Sequence, residues 1–399
     1  MSADPFARTR ALFELPPGVL YLDGNSLGPL TTAARERIKR ETEESWGREL
    51  IRSWNSAGWI DLPARVGDKI AALIGAPAGS VIAADSTSIN LYKALIAALK
   101  RNPERRVILS DAGNFPTDLY IAEGVAATLA QGYRLTTTEP EAVEGAIDDG
   151  VAVLMLTQVD YRTGRLHDMR RLTELAHARG IVTVWDLAHS AGALPVELAS
   201  CGVDFAVGCG YKYLNGGPGA PSFIYVRPDL QRETATALSG WMGHAAPFAF
   251  DRHYRPAPTI DRLRSGTPSV IAMAALDSAL DAFAGVSMAQ IRARSIELSE
   301  AFRQHIETRC PELALASPRD PLARGSQISF RFAEGYAAIQ ALIARGVIGD
   351  FRAPDIMRFG FTPLYLSVDD VRAAADAVVD VIDQRLWARP EFQARNKVT

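Results

Sequence analysis

Short apolar runs alternate with amphipathic segments of helix length between residues 107 and 226, and this alternation most constrains the fold. The runs are continuous and rich in β-branched residues, which is typical of strands buried on both faces. Such strands occur in parallel sheets whose crossover helices cover both faces. The predicted strands are 107–110, 151–159, 181–187, 205–208 and 222–226. The sequence therefore predicts an α/β protein with a mostly parallel central sheet.

The remaining segments complete the predicted domain organisation. Helical periodicity indicates crossover helices at 89–100, 118–130 and 169–178. From residue 268 the pattern changes to helices at 268–284 and 287–309, strands at 327–332 and 356–361, and a last helix at 368–387. Ser367 and Asp370 form a capping-box pattern where that last helix begins. We expect an N-terminal arm (1–45), a large domain (46–285) and a smaller α+β domain (286–399).

Charge and cysteine content argue against several classes of protein. The 399-residue chain has 43 basic and 46 acidic residues and a net charge of −3, so no charged surface is expected to hold nucleic acid or a membrane. The cysteines Cys201, Cys209 and Cys310 form no CxxC pair, which argues against a disulfide framework and a structural zinc site. No apolar run approaches the roughly 20 residues of a membrane span, and the first residues lack a signal-peptide core. We expect a cytoplasmic protein, without a metal, that binds small molecules and itself.

A GxSxG motif near the N-terminus suggests one catalytic class. The segment GNSLG, residues 24–28, matches the nucleophile elbow of serine hydrolases. With Ser26 as nucleophile, Asp186 and His189 would complete a triad in the expected chain order. However, only about twenty residues precede Ser26, which leaves no room for the strands that supply an oxyanion hole. A glycine-rich turn explains the motif better, and a serine α/β-hydrolase stays an alternative of a different class.

A lysine and an aspartate follow two neighbouring predicted strands. Asp186 lies at the end of the 181–187 run, and Lys212 follows the 205–208 run within CGYKYLNGGPG. The carboxyl ends of strands in open α/β sheets form the crevice where ligands bind. Pyridoxal 5'-phosphate (PLP) needs a lysine for a Schiff base with its aldehyde, and an acid that keeps its ring nitrogen protonated. Lys212 and Asp186 would supply these two groups.

Two predicted helix starts offer the other groups that PLP requires. Residues 85–90, DSTSIN, place three hydroxyls where a helix begins, and the backbone N–H groups of a helix start bind phosphate. Phe115, in NFPTD, precedes the next helix and offers a flat apolar partner for the pyridine ring. All four requirements are met at strand-to-helix junctions of one predicted sheet, which favours a PLP site.

The order of these motifs resembles one enzyme family. YLDGNSLGPL, DSTSIN, NFPTD, WDLAHSAGALPVEL, CGYKYLNGGPG, GWMGH and RSGTP follow one another as they do in kynureninases, which are PLP enzymes of the aspartate-aminotransferase fold, or fold type I. The resemblance runs from about residue 21 to 358. It implies hydrolysis of the Cβ–Cγ bond of L-kynurenine, with the 3-hydroxy form as a further candidate substrate, to an anthranilate and L-alanine in tryptophan catabolism. It also implies a homodimer with shared active sites.

The resemblance also implies a role for each matching position. Lys212 would bind the cofactor and act as base, Asp186 would pair with the ring nitrogen, and Tyr211 would relay a proton. The remaining cofactor contacts would come from Phe115 and Asp118 at the ring, Thr157 beside it, and Thr87, Ser88, His189, Tyr211, Trp241 and Thr267 at the phosphate. Trp241 and Thr267 would act in part from a neighbouring subunit. The substrate would be bound by Arg358 at its α-carboxylate, with Ser26 and Asn25 as further candidates.

Other activities on the same fold stay open from sequence. A cysteine desulfurase-like enzyme needs a nucleophilic cysteine in a mobile loop of the later half, and Cys310 lies instead at a predicted helix end beside Pro311. An aminotransferase, or a PLP-binding protein without catalysis, would share the lysine and the aspartate. The residues that contact the aromatic end of the substrate, expected near 54–59, are not assigned.

Overall fold

The computed structural model describes residues 4–395 and shows a central seven-stranded sheet with helices on both faces. In chain order the strands are β1 (Leu20–Tyr21), β2 (Val81–Ala83), β3 (Val107–Asp111), β4 (Arg134–Thr138), β5 (Val151–Thr157), β6 (Val182–Asp186), β7 (Phe205–Gly208), β8 (Phe223–Val226), β9 (Ala314–Leu315), β10 (Gln327–Arg331), β11 (Val347–Ile348), β12 (Asp350–Arg352) and β13 (Ile356–Gly360). The central sheet has the order β2-β8-β7-β6-β5-β3-β4.

The α-helices are named in the same way. They are α1 (Pro5–Arg10), α2 (Thr32–Arg40), α3 (Ser53–Ser56), α4 (Leu62–Leu73), α5 (Thr87–Arg101), α6 (Pro116–Leu129), α7 (Val143–Ala146), α8 (Met169–Ala178), α9 (Val270–Ala279), α10 (Met288–Arg309), α11 (Gly335–Ile343) and α12 (Val368–Asp383). A π-helix, Glu41–Glu49, follows α2 directly.

The sheet is buried on both faces, as the continuous apolar runs predicted. Alternate residues of β3 show this: Val107 and Leu109 belong to one apolar cluster, and Ile108 belongs to the other. Strands β3 to β7 pair in parallel, so the predicted α/β class with a mainly parallel sheet is confirmed. Two short strands, β2 and β4, were not predicted. β2 has only three residues, and β4, with the sequence RLTTT, is largely exposed, so neither gives a clear apolar pattern.

The predicted parallel arrangement is wrong for the 222–226 run. β8 is antiparallel to both of its neighbours, β7 and β2. The physical reason is the connection, since residues 209–222 contain no crossover helix that could return the chain to the opposite edge. The chain reverses at the carboxyl edge of the sheet, and Lys212 lies in this reversal.

The C-terminal part contains a four-stranded antiparallel sheet of order β12-β13-β10-β9. Strand β1, from the N-terminal segment, pairs in parallel with β11. The predicted helix 268–284 is shorter, because α9 begins after Pro268 and a 3-10 turn, Leu280–Phe283, follows it. The predicted helix 368–387 ends at Asp383 close to Arg385, whose φ is +50°, and its capping box is present. The proposed domain limits stay a prediction.

Within residues 4–395, no single helix is both long and apolar enough to cross a membrane, although the bent pair Val270–Phe283 and Met288–Arg309 passes on length and composition together.

Candidate active site

The β7–β8 reversal that carries Lys212 is held by the N-terminal segment. The backbone N–H of Gly28 donates to the Tyr211 carbonyl at 2.7 Å. A Cβ at Gly28 would lie 2.4 Å from the Lys212 carbonyl oxygen, so only glycine allows this approach. A Cβ at Gly24 would lie 2.4 Å from the Tyr365 hydroxyl. The glycines of the GxSxG motif therefore serve close packing.

Lys212 contacts a buried histidine that follows β6. Its Nζ lies 2.9 Å from Nε2 of His189. Burial, and then the cations of Lys212, Arg358 and Arg352, hold the pKa of His189 well below its usual value, so the ring is neutral. Its Nδ1 is buried and has no partner among the described residues. His189 thus has a ring nitrogen beside Lys212 that is free to bind a ligand.

Two buried carboxyls lie on the other side of Lys212. Asp186 ends β6, and its Oδ1 accepts from the backbone N–H of Ala188 at 2.7 Å. Burial raises the pKa of Asp186, against the opposing effect of the Lys212 ammonium. Burial and the neighbouring Asp186 charge raise the pKa of Asp118 further, and Thr157 Oγ1 lies 3.2 Å from Asp118 Oδ2. The Lys212 charge and the Ala188 N–H favour the ionised form of Asp186, whereas burial and the Asp186 charge favour the protonated form of Asp118.

Phe115 presents its ring beside Lys212. It caps the start of α6, is 41% exposed, and its ring centroid lies 6.0 Å from Lys212 Nζ. The side chain of Asn114 fixes this position: its Oδ1 accepts from the Phe115 N–H at 2.7 Å and also from the Thr157 hydroxyl. The Asn114 amide also donates to Ser110 Oγ at 3.0 Å. An exposed ring face is therefore held rigidly over the lysine.

A cavity of about 480 Å³ opens where α5 begins. Thr87, the first residue of α5, lines it together with Tyr211 and Thr267. The first N–H groups of a helix have no intrahelical acceptor and attract anions. Ser88 follows Thr87 and is half-buried, outside the cavity lining. The cavity thus combines hydroxyls with a helix N-terminus, as a phosphate requires.

Trp241 does not line this cavity in the single chain. Its ring is 37% exposed and packs 5.7 Å from Phe248 and 6.4 Å from Phe250, both of which are largely exposed. Trp241 and Phe250 line a separate surface pocket. The predicted contact of Trp241 with the phosphate is therefore not formed within one subunit.

Arg358 is fully buried on β13 and pairs with Asp350 across the hairpin. Its Nε lies 2.6 Å from Asp350 Oδ1, and its Nη2 contacts the other carboxylate oxygen. Nη2 also donates to Ser26 Oγ at 2.9 Å, and Nη1 donates to the Tyr161 carbonyl. The Tyr161 ring packs edge-on against Phe115 at 5.1 Å, which links the arginine to the ring beside Lys212.

The two further substrate candidates behave differently. Ser26 lies in the Arg358 group and donates to Asp350 Oδ2 at 2.6 Å. Asn25 is fully buried, and its Nδ2 lies 3.5 Å from Gln327 Oε1. Ser26 therefore contacts Arg358 directly, whereas the Asn25 amide lies against the side chain of Gln327.

The serine-hydrolase triad is not assembled. In the part of the chain that the structure describes, the side-chain partners of Ser26 are Asp350, Arg358 and Arg352, and His189 contacts Lys212. Cys310 does not suit the nucleophilic cysteine of a desulfurase, which lies in a mobile loop, because Cys310 is fully buried at the end of α10.

Sequence reasoning missed three residues that organise the site. Asn114 was quoted only within a motif, although it orients Phe115. Asp350 pairs with Arg358 from a neighbouring strand, a contact that requires knowledge of the hairpin register. Lys93 is a buried lysine of α5, and the apolar periodicity around it gave no hint of its partners.

The residues present fit PLP. The Nδ1 of buried His189 has no partner among the described residues, and hydroxyl side chains line the cavity at the start of α5. Lys212 contacts His189, and the exposed Phe115 ring and the Asp186 carboxyl lie close to the lysine. A cofactor with an aldehyde, a basic ring nitrogen and a phosphate matches this set.

Solved structures show the same fold. The cysteine desulfurase of Thermococcus onnurineus NA1 has a TM-score of 0.79 at 17% identity, covering 95% of this chain and 98% of that chain. The desulfurase CsdA of Escherichia coli has a TM-score of 0.77 at 22% identity, covering 97% of this chain and 99% of that one. A C-DES variant with glycine covalently linked to its PLP cofactor has a TM-score of 0.77 at 17% identity, with 91% and 97% coverage. Fold and site together define a PLP-dependent enzyme of fold type I.

Sequence relatives narrow the class. The kynureninase of Pseudomonas fluorescens is 51% identical over 403 residues, covering 99% of this chain and 97% of that protein. The kynureninase of Burkholderia pseudomallei strain 1106a is 49% identical with the same coverage. A family model, the kynureninase C-terminal domain, matches residues 291–378. The chain belongs to the kynureninase family, and its likeness to desulfurases is one of fold.

Proposed function

We propose that this enzyme hydrolyses the Cβ–Cγ bond of L-kynurenine to anthranilate and L-alanine. The observation that carries the proposal is the grouping of His189 and the Asp186–Asp118 pair around Lys212 in a chain about half identical to kynureninases. Bound PLP supplies the carbonyl that condenses with the substrate amine and an electron sink for the carbanions that bond cleavage requires.

Lys212 and Asp186 have complementary tasks in this proposal. The Lys212 amine takes the proton from the substrate Cα, since it is the basic group that extends between Phe115 and His189. Asp186 would hold the proton on the cofactor ring nitrogen, because the Lys212 charge and the Ala188 N–H favour its ionised form, while the pKa of Asp118 is raised well above its usual value. Asp118 donates to Asp186 and keeps it in place.

Tyr211 is proposed as the proton donor. Its ring centroid lies 5.8 Å from Lys212 Nζ, and the ring lines the cavity at the start of α5. Burial raises the pKa of the phenol, so it stays protonated at neutral pH and can donate. A hydrogen bond from the same hydroxyl to the cofactor phosphate is equally compatible with this position.

Arg358 is proposed to bind the substrate α-carboxylate. Asp350 occupies its Nε and one edge of Nη2, while Tyr161 and Ser26 orient the rest of the guanidinium. A second cation, Arg352, shares Asp350 at 2.9 Å. A second carboxyl, Asp23, belongs to the same group, and burial and the Asp350 charge raise its pKa to about 7. With Asp23 protonated, two positive charges face one carboxylate, which matches the binding of a substrate carboxylate.

The direct test is to mix the purified enzyme with PLP and L-kynurenine and to follow the fluorescence of anthranilate. We expect release of anthranilate together with an equal amount of alanine. Kynuramine is the matched control, because it has the same aryl ketone and amine but no α-carboxylate for Arg358, and we expect it to give no anthranilate. Sulfide release from L-cysteine, with no reaction of kynurenine, would favour the desulfurase-like alternative instead.

We also propose that the enzyme acts as a homodimer with shared sites. Large apolar side chains lie exposed on one chain, among them Trp46, Ile51, Phe248 and Phe250. An apolar groove of about 970 Å³ lies between the N-terminal segment and α9. Trp241, which does not reach the phosphate cavity of its own chain, would reach that of the partner.

Mixing two inactive variants tests the shared site. Lys212→Ala and Trp241→Ala subunits, co-refolded in equal amounts, are expected to recover about a quarter of wild-type activity, because half of the dimers are hybrids with one intact site each. Mixing without co-refolding is the control. Activity equal to the mean of the two parents would show that Trp241 serves its own subunit.

A cytoplasmic location is proposed on one observation. The three cysteines are free in the structure, as a reducing compartment would keep them.

A further inference from the structure

Lys93 is a buried cation to which the proposed reaction gives no role. Its side chain, on the second turn of α5, is 1% exposed. Its Nζ donates to the Leu263 carbonyl at 2.6 Å and forms an ion pair with Asp85 Oδ2. Burial lowers the pKa of Lys93, and the Asp85 carboxylate opposes this shift. Burying an ammonium group costs free energy unless it has such partners. The presence of a buried ion pair at this position therefore calls for a functional explanation.

The partner of Lys93 lies in the wall of the phosphate cavity. Asp85 lines the cavity with Thr87 and Tyr211, and 30% of its side chain is exposed. Its φ is +46°, a left-handed conformation that aspartate and asparagine tolerate better than most residues. A carboxylate at this position, left uncompensated, would repel a phosphate dianion in the cavity.

Lys93 also binds the segment next to a second part of the cavity wall. Leu263, whose carbonyl it binds, ends the 3-10 turn Ile260–Leu263, and the next residues, 264–267, line the same cavity as Asp85. Among the described residues lining the cavity, Asp85 and Arg264 carry the charges. Arg264 is itself paired with Asp261 at 3.3 Å, so Asp85 is the charge of the lining that Lys93 has to cancel before the cavity can hold a phosphate.

We propose that Lys93 is a positioning and charge-compensating residue for the cofactor phosphate, which cancels the Asp85 carboxylate and joins the two parts of the cavity wall. The proposal rests on the proposed function, because it takes this cavity as the site of the PLP phosphate.

The test compares PLP with pyridoxal, which has the same ring and aldehyde but no phosphate. The protein, freed of cofactor, is titrated with each ligand, and Kd is read from absorbance and from the quenching of tryptophan fluorescence. Lys93→Met keeps most of the side-chain volume and removes the charge. We expect Lys93→Met to raise the Kd of PLP by about tenfold or more, and the Kd of pyridoxal by less than about twofold.

The double variant Lys93→Met/Asp85→Asn separates charge from packing. It removes both charges, and asparagine accepts the left-handed backbone of position 85. We expect it to bind PLP within about threefold of the wild type, a recovery that a merely structural role of Lys93 would not give. If Lys93→Met alone does not fold, the double variant carries the test by the same criterion.

Three results would overturn the proposal. Equal weakening of PLP and pyridoxal by Lys93→Met would show a general structural role. A double variant that binds PLP as weakly as Lys93→Met would show that Asp85 is not the group compensated. Wild-type protein that binds pyridoxal as tightly as PLP would instead remove the cavity as the phosphate site, and this failure of the proposed function is visible without any variant.

Discussion

Replacing Lys212 by alanine is expected to lower turnover of kynurenine by more than about 10⁴-fold and to remove the yellow absorbance of the PLP-bound enzyme. The two effects should appear together, because one amine binds the cofactor aldehyde and takes the Cα proton. No other lysine is in contact with His189 among the described residues, so no neighbour can substitute. The measurements are the rate of anthranilate release and the absorbance spectrum after gel filtration.

Lys100→Ala is the matched control for this loss. Lys100 is exposed in the last turn of α5, and its replacement should leave the rate, the colour and the melting temperature as they are. A Lys212→Ala enzyme that kept a lysine-bound yellow cofactor and normal turnover would exclude the assignment of position 212.

Replacing Asp186 by asparagine is expected to lower kcat by about 10³-fold, with the fold preserved. Asparagine keeps the acceptor for the Ala188 N–H, so the local geometry survives, but a neutral amide cannot hold a proton on the ring nitrogen. Asp118→Asn should cost no more than about tenfold, because the raised pKa of Asp118 favours its neutral form and an amide can still donate to Asp186. The comparison uses kcat at saturating kynurenine.

The difference between the two variants is the informative quantity. Both remove one carboxyl from the same buried pair, so nonspecific damage to the pocket would lower both rates alike. Equal losses would mean that the ionised and protonated members have been assigned wrongly. Melting temperature and bound PLP per subunit, measured for both, show whether either variant has lost cofactor instead of chemistry.

The fold was predictable where burial alone sets the pattern. The β5 and β6 runs gave strands close to their observed limits because both faces are covered. β4 was missed since its side chains are mostly exposed, and the direction of β8 was missed because it depends on the route of the chain after β7.

Site residues were predictable where the chemistry of the cofactor demands a particular residue type. Lys212 and Asp186 could be recognised from the demands of PLP, and the structure brings them together with His189 and Phe115. Asn114 and Lys93 could not be recognised, because they act through the position of other residues. The proposed role of Trp241 would depend on a second chain, and within one chain its ring lies away from the cavity.

The contact between Gly28 and the lysine loop has a consequence for biosynthesis. The first strand, β1, pairs with β11 near residue 347, and Arg358 follows only after that. The pocket is therefore built from segments that leave the ribosome at the beginning, the middle and the end of synthesis. A nascent chain that has exposed Lys212 still lacks Asp350 and Arg358, so we expect the coenzyme to be acquired by the released polypeptide and not during translation.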